Sequence, residues 1–420
     1  MSVSQRILRL PVLFVSILAL VSAGDRDLFI VNTFDEEFVN WATPHVQTFG
    51  FPSPEESFSN IQLVITLACP TGPGDCDPWD RLGHISVLHE TGDTDTAGTP
   101  IIVPYEIARF ITPYDITGEW GGEPGPGSCA WSLDMTHYGS ILRDSVTLSL
   151  YISTWMGNDN GWLITADFIF TEGFDLRDPY RIVNLYRTGY LEIGNPDNPV
   201  EDILVPRPVW IDAEADSGLV RVVTTGHGFG NTDNAAEFSY LHHTVRADGA
   251  EYTWPLWRPD CAQNECSPQG GTWTYPRAGW CPGDRVTPTD WSIVPVFSPG
   301  DTMVFDYDIE DYLNCCRASN PECTGEPPCC VFNGCGENTM PNYVMSVQLI
   351  LFRNRCQGWV PGDLNRDERM DVFDLLMVAD MVVTGEPDIP CYNYAGDLNQ
   401  NGIVDLSDVI GMALDILDGE

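Results

Sequence analysis

Three segments of the sequence place acids beside tryptophans and arginines. The first is Cys76-Asp77-Pro78-Trp79-Asp80-Arg81, the second surrounds Glu237, and the third contains Arg277 and Trp280. Indole faces stack on the C–H faces of sugar rings, while carboxylates and guanidinium groups bind hydroxyls. Together these residue types predict a sugar-binding cleft built from loops. Taken singly, each of them is as often a core residue or a surface contact.

Other common catalytic patterns are missing from the sequence. The 7 histidines form no His-x-His pair and no His-Glu-x-x-His motif. His242 and His243 are adjacent in an alternating segment, so they point to opposite faces and cannot easily bind one metal ion. There is no Gly-x-Ser-x-Gly elbow and no phosphate loop. We therefore expect no cofactor for catalysis.

Two acidic loops near the C terminus repeat one spacing of oxygen-bearing side chains. Positions 1, 3, 5, 9 and 12 of each loop carry Asp or Asn, and position 7 supplies a backbone carbonyl, a spacing that surrounds a hard cation with oxygens. The predicted Ca²⁺ ligands are Asp363, Asn365, Asp367, Arg369, Asp371 and Asp374 in loop one, and Asp397, Asn399, Asn401, Ile403, Asp405 and Asp408 in loop two. The alternative interpretation is an acidic, solvated tail.

The N terminus has the composition of an export signal. Arg6 and Arg9 precede the apolar run 10–20, and Val21-Ser22-Ala23 offers small residues for cleavage. A membrane anchor is the alternative, but spanning a bilayer needs about 20 apolar residues. Residues 1–23 are therefore predicted to be a signal peptide. The mature chain is expected to be secreted, without a transmembrane segment.

Charge and cysteine content narrow the class of protein further. The formal net charge of −41 repels phosphate backbones, which argues against nucleic-acid binding. The 14 cysteines of an exported chain indicate disulfides rather than zinc. Six of them crowd into the insert 315–335, where cross-links are expected in place of a core. A metal cluster there is the alternative.

The body of the chain reads as β-structure. Residues 145–154 alternate between apolar and polar side chains, the period of a half-buried strand. Similar runs lie at 61–67, 163–170, 219–225 and 343–353, separated by Gly- and Pro-rich turns. Many short strands with frequent turns predict sandwiches or jelly rolls, and the length predicts two of them. We place the boundary between them near 173–179.

Together the segments resemble the peptide-N-glycosidase F family. The matching blocks are Cys76 to Arg81, Tyr105 to Tyr114, Ala236-Glu237 and Arg277 to Gly283, in the family's order. The resemblance implies an all-β body of two tandem eight-stranded antiparallel jelly rolls, at 24–174 and 175–356. It also implies hydrolysis of the amide that joins N-acetylglucosamine to asparagine in N-glycoproteins or glycopeptides.

The resemblance also assigns roles to individual residues. Asp80 is implied to be the principal catalytic carboxylate and Glu237 a second acid acting through water. The residues implied to bind substrate are Trp79, Arg81, Ser153, Arg277 and Trp280, and the disulfide candidates are Cys69, Cys76, Cys261 and Cys281. Burial beside Trp79 would raise the pKa of Asp80 and the charge of Arg81 would lower it, and the sequence does not decide between them.

Ser153 is the main departure from the family. The family's type enzyme has a third cleft acid there, and a hydroxyl cannot carry that charge. The cysteines that flank the second acid are also missing, and the insert 315–335 has no recognised counterpart. A glycan-binding protein without catalysis is therefore the alternative. Copper monooxygenases share the double jelly roll, but the chain lacks their clustered His and Met ligands.

The tail, residues 359–420, resembles a type I dockerin, a small α-helical domain with calcium loops. The resemblance covers both loops and the apolar helices after them, and implies a cohesin module or cell-surface scaffold as partner. Gly402 occupies the sharp turn at position 6 of loop two, whereas loop one has Glu368. We therefore expect a strained or weaker first site. A calcium-stabilised tail without a cohesin partner is the alternative.

Overall fold

The computed structural model describes residues 28–71, 75–118, 123–173, 175–317, 319–320, 334–385 and 390–418. The predicted signal peptide 1–23 lies outside the described residues. So do three of the six cysteines of the insert, Cys323, Cys329 and Cys330.

The first half of the body is a sandwich of two antiparallel sheets. One sheet has the order β1-β9-β4-β7, with β2 also pairing with β9, and the other has the order β3-β8-β5-β6. The strands are β1 Leu28–Asn32, β2 Glu37–Val39, β3 His45–Gly50, β4 Phe58–Ala68, β5 Leu82–Thr94, β6 Pro100–Ile111, β7 Ser128–Asp134, β8 Ser145–Ile152 and β9 Trp162–Glu172.

The second half repeats this architecture. Its sheets have the orders β10-β17-β12-β15 and β11-β16-β13-β14, again antiparallel. The strands are β10 Arg177–Glu192, β11 Arg207–Trp210, β12 Ser217–His227, β13 His242–Ala247, β14 Ala250–Pro255, β15 Thr289–Ser292, β16 Thr302–Ile309 and β17 Asn342–Asn354.

Two β-sandwiches agree with the fold class predicted from the sequence, but the strand number differs in the first. Where eight strands were expected, the described part of that half has nine, β1 to β9, because the three-residue strand β2 adds to the edge of its sheet. The predicted boundary at 174 falls in the connection between β9 and β10.

The two sandwiches pack against each other and are covalently linked. Arg109 on β6 is almost fully buried, donates to the Glu106 carboxylate at 2.6 Å, and reaches the Val344 carbonyl on β17 at 2.7 Å. The disulfide Cys129–Cys266 joins β7 to a loop of the second sandwich. These links fix the relative position of loops that come from different halves of the chain.

The tail folds as three short helices with a small core of its own. They are α1 Val372–Thr384, α2 Pro390–Gly396 and α3 Leu406–Asp418. The sequence predicted α1 and α3 but not α2. Cys391 on α2 forms a disulfide with Cys356, directly after β17, which ties the tail to the body. Among the described residues no helix has the length and apolar character needed to cross a membrane.

Candidate active site

Asp77 anchors the loop that carries Asp80. The disulfide Cys69–Cys76 closes the chain just after β4, and the next residue, Asp77, is fully buried. Its carboxylate accepts hydrogen bonds from Arg81 Nε at 2.8 Å and from Thr154 Oγ1 at 2.6 Å. A buried carboxylate held in this way fixes both ends of the segment 77–81.

Thr112, which directly follows β6, holds the same loop through two hydrogen bonds. Its hydroxyl accepts from the backbone N–H of Arg81 at 2.7 Å and donates to the carbonyl of Trp79 at 2.7 Å. Asp115 N–H donates to the Pro78 carbonyl at 2.7 Å. Asp80 therefore sits between two residues whose backbones are held by the neighbouring strand.

Glu237 is positioned by the second sandwich. Its backbone N–H donates to Gly228 O at 2.9 Å, and its carbonyl accepts from Ala278 N–H at 2.8 Å. Its side chain, which is 14% exposed, accepts a hydrogen bond from Arg277 Nε at 2.9 Å. Arg277 is in turn held by the carbonyl of Thr272 at 3.0 Å.

Asp80 and Glu237 are linked electrostatically, because the Asp80 charge acts on Glu237 and the Arg277 charge acts on both carboxyls. Burial raises the pKa of Asp80 to about 6, against the opposing charges of Arg277 and then Arg81. Burial also raises the pKa of Glu237 to about 7, the Asp80 charge raises it further, and Arg277 opposes both effects. Of the two opposing influences on Asp80 foreseen from the sequence, burial is the larger.

These pKa values suit proton transfer near neutral pH. Between about pH 6 and pH 7 Asp80 is ionised and Glu237 is protonated, so the two carboxyls together hold one proton. One member is then able to accept a proton and the other to donate one. That is the requirement for general acid–base catalysis of a hydrolysis.

Trp79 and Arg81 form part of the exposed wall next to Asp80. The Arg81 guanidinium carbon lies 5.9 Å from the ring centre of Trp79 and 5.2 Å from that of Trp155. Ser153, at the end of β8, donates its backbone N–H to Leu82 O at 2.9 Å, which places it beside the same loop. The structure thus places three predicted substrate-binding residues in or beside the loop that carries Asp80.

The other two predicted substrate-binding residues lie beneath the surface. Arg277 and Trp280 are each 2% exposed. Besides Glu237 and Thr272, the Arg277 guanidinium donates to Tyr275 O at 2.9 Å, and Trp280 Nε1 donates to Gly226 O at 2.7 Å. These hydrogen bonds make Arg277 a support for Glu237. Substrate contact by Arg277 and Trp280 stays a prediction.

Sequence reasoning gave no role to three residues that shape the site. Asp77 and Thr112 are the loop anchors described above. Tyr114 lies with its ring centre 6.0 Å from that of Trp79, and burial followed by the Asp80 charge raises its pKa. All three fall inside or next to the motif blocks, so the blocks were the available signal. The structure also pairs Cys261 with Cys281.

The two tail loops share one hydrogen-bond pattern. In loop one the buried Asp374 carboxylate accepts from the backbone N–H groups of Asn365 at 3.0 Å and Asp371 at 2.9 Å. In loop two Asp408, also buried, accepts from Asn399 at 3.2 Å and Asp405 at 2.9 Å. The carboxylate at position 12 therefore closes each loop.

The donor set of the loops fits a hard cation, although their acids are not gathered around one point. Among the described residues no three His, Cys, Asp or Glu side chains form a group that could hold a metal ion. Side-chain and carbonyl oxygens at these spacings are nevertheless the ligands that Ca²⁺ takes. Glu368 has φ 67° and Gly402 has φ 89°, so the residue that departs from the motif occupies the left-handed region.

Comparison with known sequences gives matches to one family. Residues 203–322 match the family model described as peptide-N-glycosidase F, C terminal. The chain is 25% identical over 276 residues to the peptide-N(4)-(N-acetyl-beta-D-glucosaminyl)asparagine amidase F of Elizabethkingia miricola, covering 64% of this chain and 72% of that protein.

Solved structures give the same result for the fold. PNGase F, a glycosylasparaginase from Flavobacterium meningosepticum, superposes with a TM-score of 0.60 at 23% identity, covering 78% of this chain and 96% of the other. PNGF-II superposes with a TM-score of 0.56 at 14% identity, covering 77% and 65%. The body of the chain is therefore similar in sequence and fold to peptide-N-glycosidase F, and residues 203–322 match the model of that family's C-terminal domain.

Proposed function

We propose that the chain is a secreted amidase that hydrolyses the bond between N-acetylglucosamine and asparagine in N-glycoproteins or glycopeptides. Similarity to peptide-N-glycosidase F supports an amidase-like hydrolase. The observation that carries the proposal is the pair Asp80 and Glu237. The two residues come from different sandwiches, and the charge of one guanidinium, that of Arg277, lowers the pKa of both carboxyls against the effect of burial.

The reaction needs one base and one acid. The ionised member of the pair takes a proton from a water molecule, whose oxygen attacks the side-chain carbonyl carbon of the substrate asparagine. The C–N bond breaks, and the protonated member gives its proton to the leaving nitrogen. The products are aspartate in the peptide and a glycosylamine, which loses ammonia in water. Arg277 keeps Glu237 oriented throughout.

Ser153 motivates the competing function, a glycan-binding protein without catalysis. The decisive experiment incubates the mature protein with a denatured N-glycoprotein. Glycan release with conversion of asparagine to aspartate supports the amidase. Retention of glycan without release supports the binding protein and overturns the proposal.

The pH dependence of activity is expected to be bell-shaped with a maximum between about pH 6 and pH 7. Below the pKa of Asp80, about 6, both carboxyls are protonated and no base remains. Above the pKa of Glu237, about 7, both are ionised and no acid remains. The measurement is kcat/KM against pH for the wild type and for Glu237→Gln, in which the alkaline limb should disappear. A flat profile across this range would contradict the shared proton.

Export is part of the proposal. All the cysteines within the described residues are disulfide-bonded, as is typical of oxidising compartments. N-terminal sequencing of the secreted protein should find cleavage after Ala23. An uncleaved N terminus on a membrane-bound product would support the anchor alternative.

We further propose that the tail binds Ca²⁺ through its two loops and docks to a cohesin-type module. In each loop the buried position 12 carboxylate already accepts two or more backbone N–H groups, which pre-forms the loop. Calcium here has a structural role only. Exposed apolar side chains on α1 and α3, among them Phe373, Leu376, Ile410 and Leu414, offer the contact area for a protein partner.

Replacing Glu368 by glycine is expected to tighten calcium binding in loop one by about tenfold. A residue with a side chain in the left-handed region costs roughly 1–2 kcal/mol, and glycine removes that cost. Glu368→Ala is the matched control, because it removes the same carboxylate but keeps a side chain. Calorimetric titration with Ca²⁺ should show tighter binding for glycine only, and equal gains in both variants would contradict the backbone explanation.

Docking is tested with a purified cohesin-type module. Binding that is lost with a calcium chelator, and weakened by Leu376→Asp, supports the docking proposal. A tail that chelation destabilises but that binds no cohesin module supports the alternative, a calcium-stabilised appendage.

A further inference from the structure

Trp41 lies on the same face as Trp155, at the edge of the candidate active site. The two residues are opposite partners in an isolated antiparallel bridge. Directly opposite residues of an antiparallel pair point their side chains to the same face. Trp41 is 49% exposed and Trp155 52% exposed, so both indoles face solvent.

The segments that carry these two tryptophans are held together. Gly157 N–H donates to Asn40 O at 3.2 Å, and Asn40 Nδ2 donates to Asn158 O at 2.7 Å. Gly157 has φ 63°, and a Cβ atom there would lie 3.3 Å from Cζ3 of Trp41. The indole of Trp41 thus rests over a residue without a side chain, in a fixed position.

The exposed aromatic surface continues from Trp155 to the catalytic loop. Arg81 lies against the rings of both Trp155 and Trp79, and Trp79 immediately precedes Asp80. The Arg81 guanidinium is already paired with the buried Asp77 carboxylate. We name this surface, Trp41, Trp155, Arg81 and Trp79, the aromatic row.

The chemistry of the aromatic row favours a neutral, ring-shaped ligand. Three indoles at roughly half exposure lie in one set of contacting residues, and clustered exposed apolar side chains mark interaction sites. Its one charge is compensated within the protein, so nothing in the row calls for a charged ligand. Sugar rings present flat C–H faces that stack on indoles and hydroxyls that a guanidinium edge can bind.

We propose that the aromatic row is a subsite for neutral sugar residues of the glycan beyond the N-acetylglucosamine–asparagine linkage, with Trp41 at its outer end. This rests on the proposed amidase function, because Asp80 marks where the linkage lies. Contacts run from Trp79, next to Asp80 in the sequence, through Arg81 to Trp155, which is paired with Trp41. Trp41 is therefore the member that only a glycan longer than the first sugars would reach.

The test compares Trp41→Ala with Trp210→Ala on two glycopeptides of the same peptide sequence. Trp210 on β11 is 53% exposed and belongs to the second sandwich, so it controls for loss of an exposed indole. With a complete N-glycan, Trp41→Ala should raise KM about tenfold at unchanged kcat. With only two N-acetylglucosamines on the asparagine, neither variant should change KM.

Other outcomes would overturn the subsite. An equal effect of Trp41→Ala on both glycopeptides would mean that Trp41 acts on the linkage or the fold. Should the wild type release no glycan, calorimetric titration with the free N-glycan separates the two claims. Binding that Trp41→Ala weakens would keep the row and reject only the amidase, whereas no wild-type binding, or equal binding by wild type and variant, would reject the row as well.

Discussion

Asp80→Asn is expected to lower the rate of glycan release by about 10²- to 10⁴-fold, the usual contribution of a positioned acid or base. The amide of asparagine has nearly the same shape but cannot exchange a proton near neutral pH. Burial has already raised the pKa of Asp80 to about 6, so the aspartate is tuned for this exchange. Initial rates on a glycopeptide, measured by liquid chromatography, give the loss directly.

The control for this prediction is Asp93→Asn. Asp93 lies exposed at the far end of β5, the strand that begins next to Asp80. The substitution removes the same charge from the same region of the sequence. It should leave the rate unchanged. Asp93→Asn should melt at the wild-type temperature. Near neutral pH, Asp80→Asn should melt no lower, because it removes a charge that burial disfavours and keeps the loop anchors Asp77 and Thr112. Full activity in Asp80→Asn would show that Asp80 is not a catalytic residue.

Arg277→Met is expected to destabilise the protein by about 3–5 kcal/mol and to abolish most activity, because it leaves the Glu237 carboxylate without its cation. It also removes the donors to Thr272 and Tyr275. Since Arg277 lowers the pKa of both Asp80 and Glu237, residual activity should have its pH profile displaced to higher pH. Thermal melting and kcat/KM against pH are the measurements.

Variants of Arg277 also show whether this residue supports Glu237 or contacts the substrate. Arg277→Lys should not restore activity, because an ammonium group cannot reproduce the planar set of hydrogen bonds. Arg285→Met, at an exposed arginine of the same region, is the control and should leave stability unchanged. If Arg277→Met raised KM alone at an unchanged melting temperature, Arg277 would be a substrate ligand and its assignment as support would be wrong.

The alternating strands were the most predictable part of the fold. In β8 the apolar residues Val146, Leu148, Leu150 and Ile152 are all buried, as their period of two predicts. In β12 the burial is continuous from Ser217 to Gly226, because one face packs in its own sandwich and the other faces the neighbouring sandwich. The run 219–225 predicted this strand, but its pattern did not show that both faces are covered.

The sequence identified the main residues of the site but not how deeply each of them is buried. The motif blocks contained Asp80, Glu237 and Arg277. Whether a side chain faces the cleft or the core depends on packing from distant parts of the chain, and it is this packing that buries Arg277 at 2% exposure. The sequence had two acids in one block, and only the structure shows that Asp77 is the hydrogen-bonded anchor of the loop, which leaves Asp80 as the candidate catalytic acid.

The long-range disulfides could not be predicted from the sequence. The short-range pair Cys69–Cys76 was a candidate because its loop is small. Cys129–Cys266 and Cys356–Cys391 join segments that only the tertiary fold brings together. Cysteine connectivity is combinatorial, so spacing alone does not select among the pairings.

Hydrolysis of an N-glycopeptide in ¹⁸O-labelled water, with both products analysed by mass spectrometry, tests the proposed reaction most directly. The pair Asp80 and Glu237 predicts a free glycan that keeps both core N-acetylglucosamines and a peptide in which aspartate carries one ¹⁸O atom. A peptide that retains one N-acetylglucosamine on unlabelled asparagine, or an intact glycopeptide bound without cleavage, would contradict it.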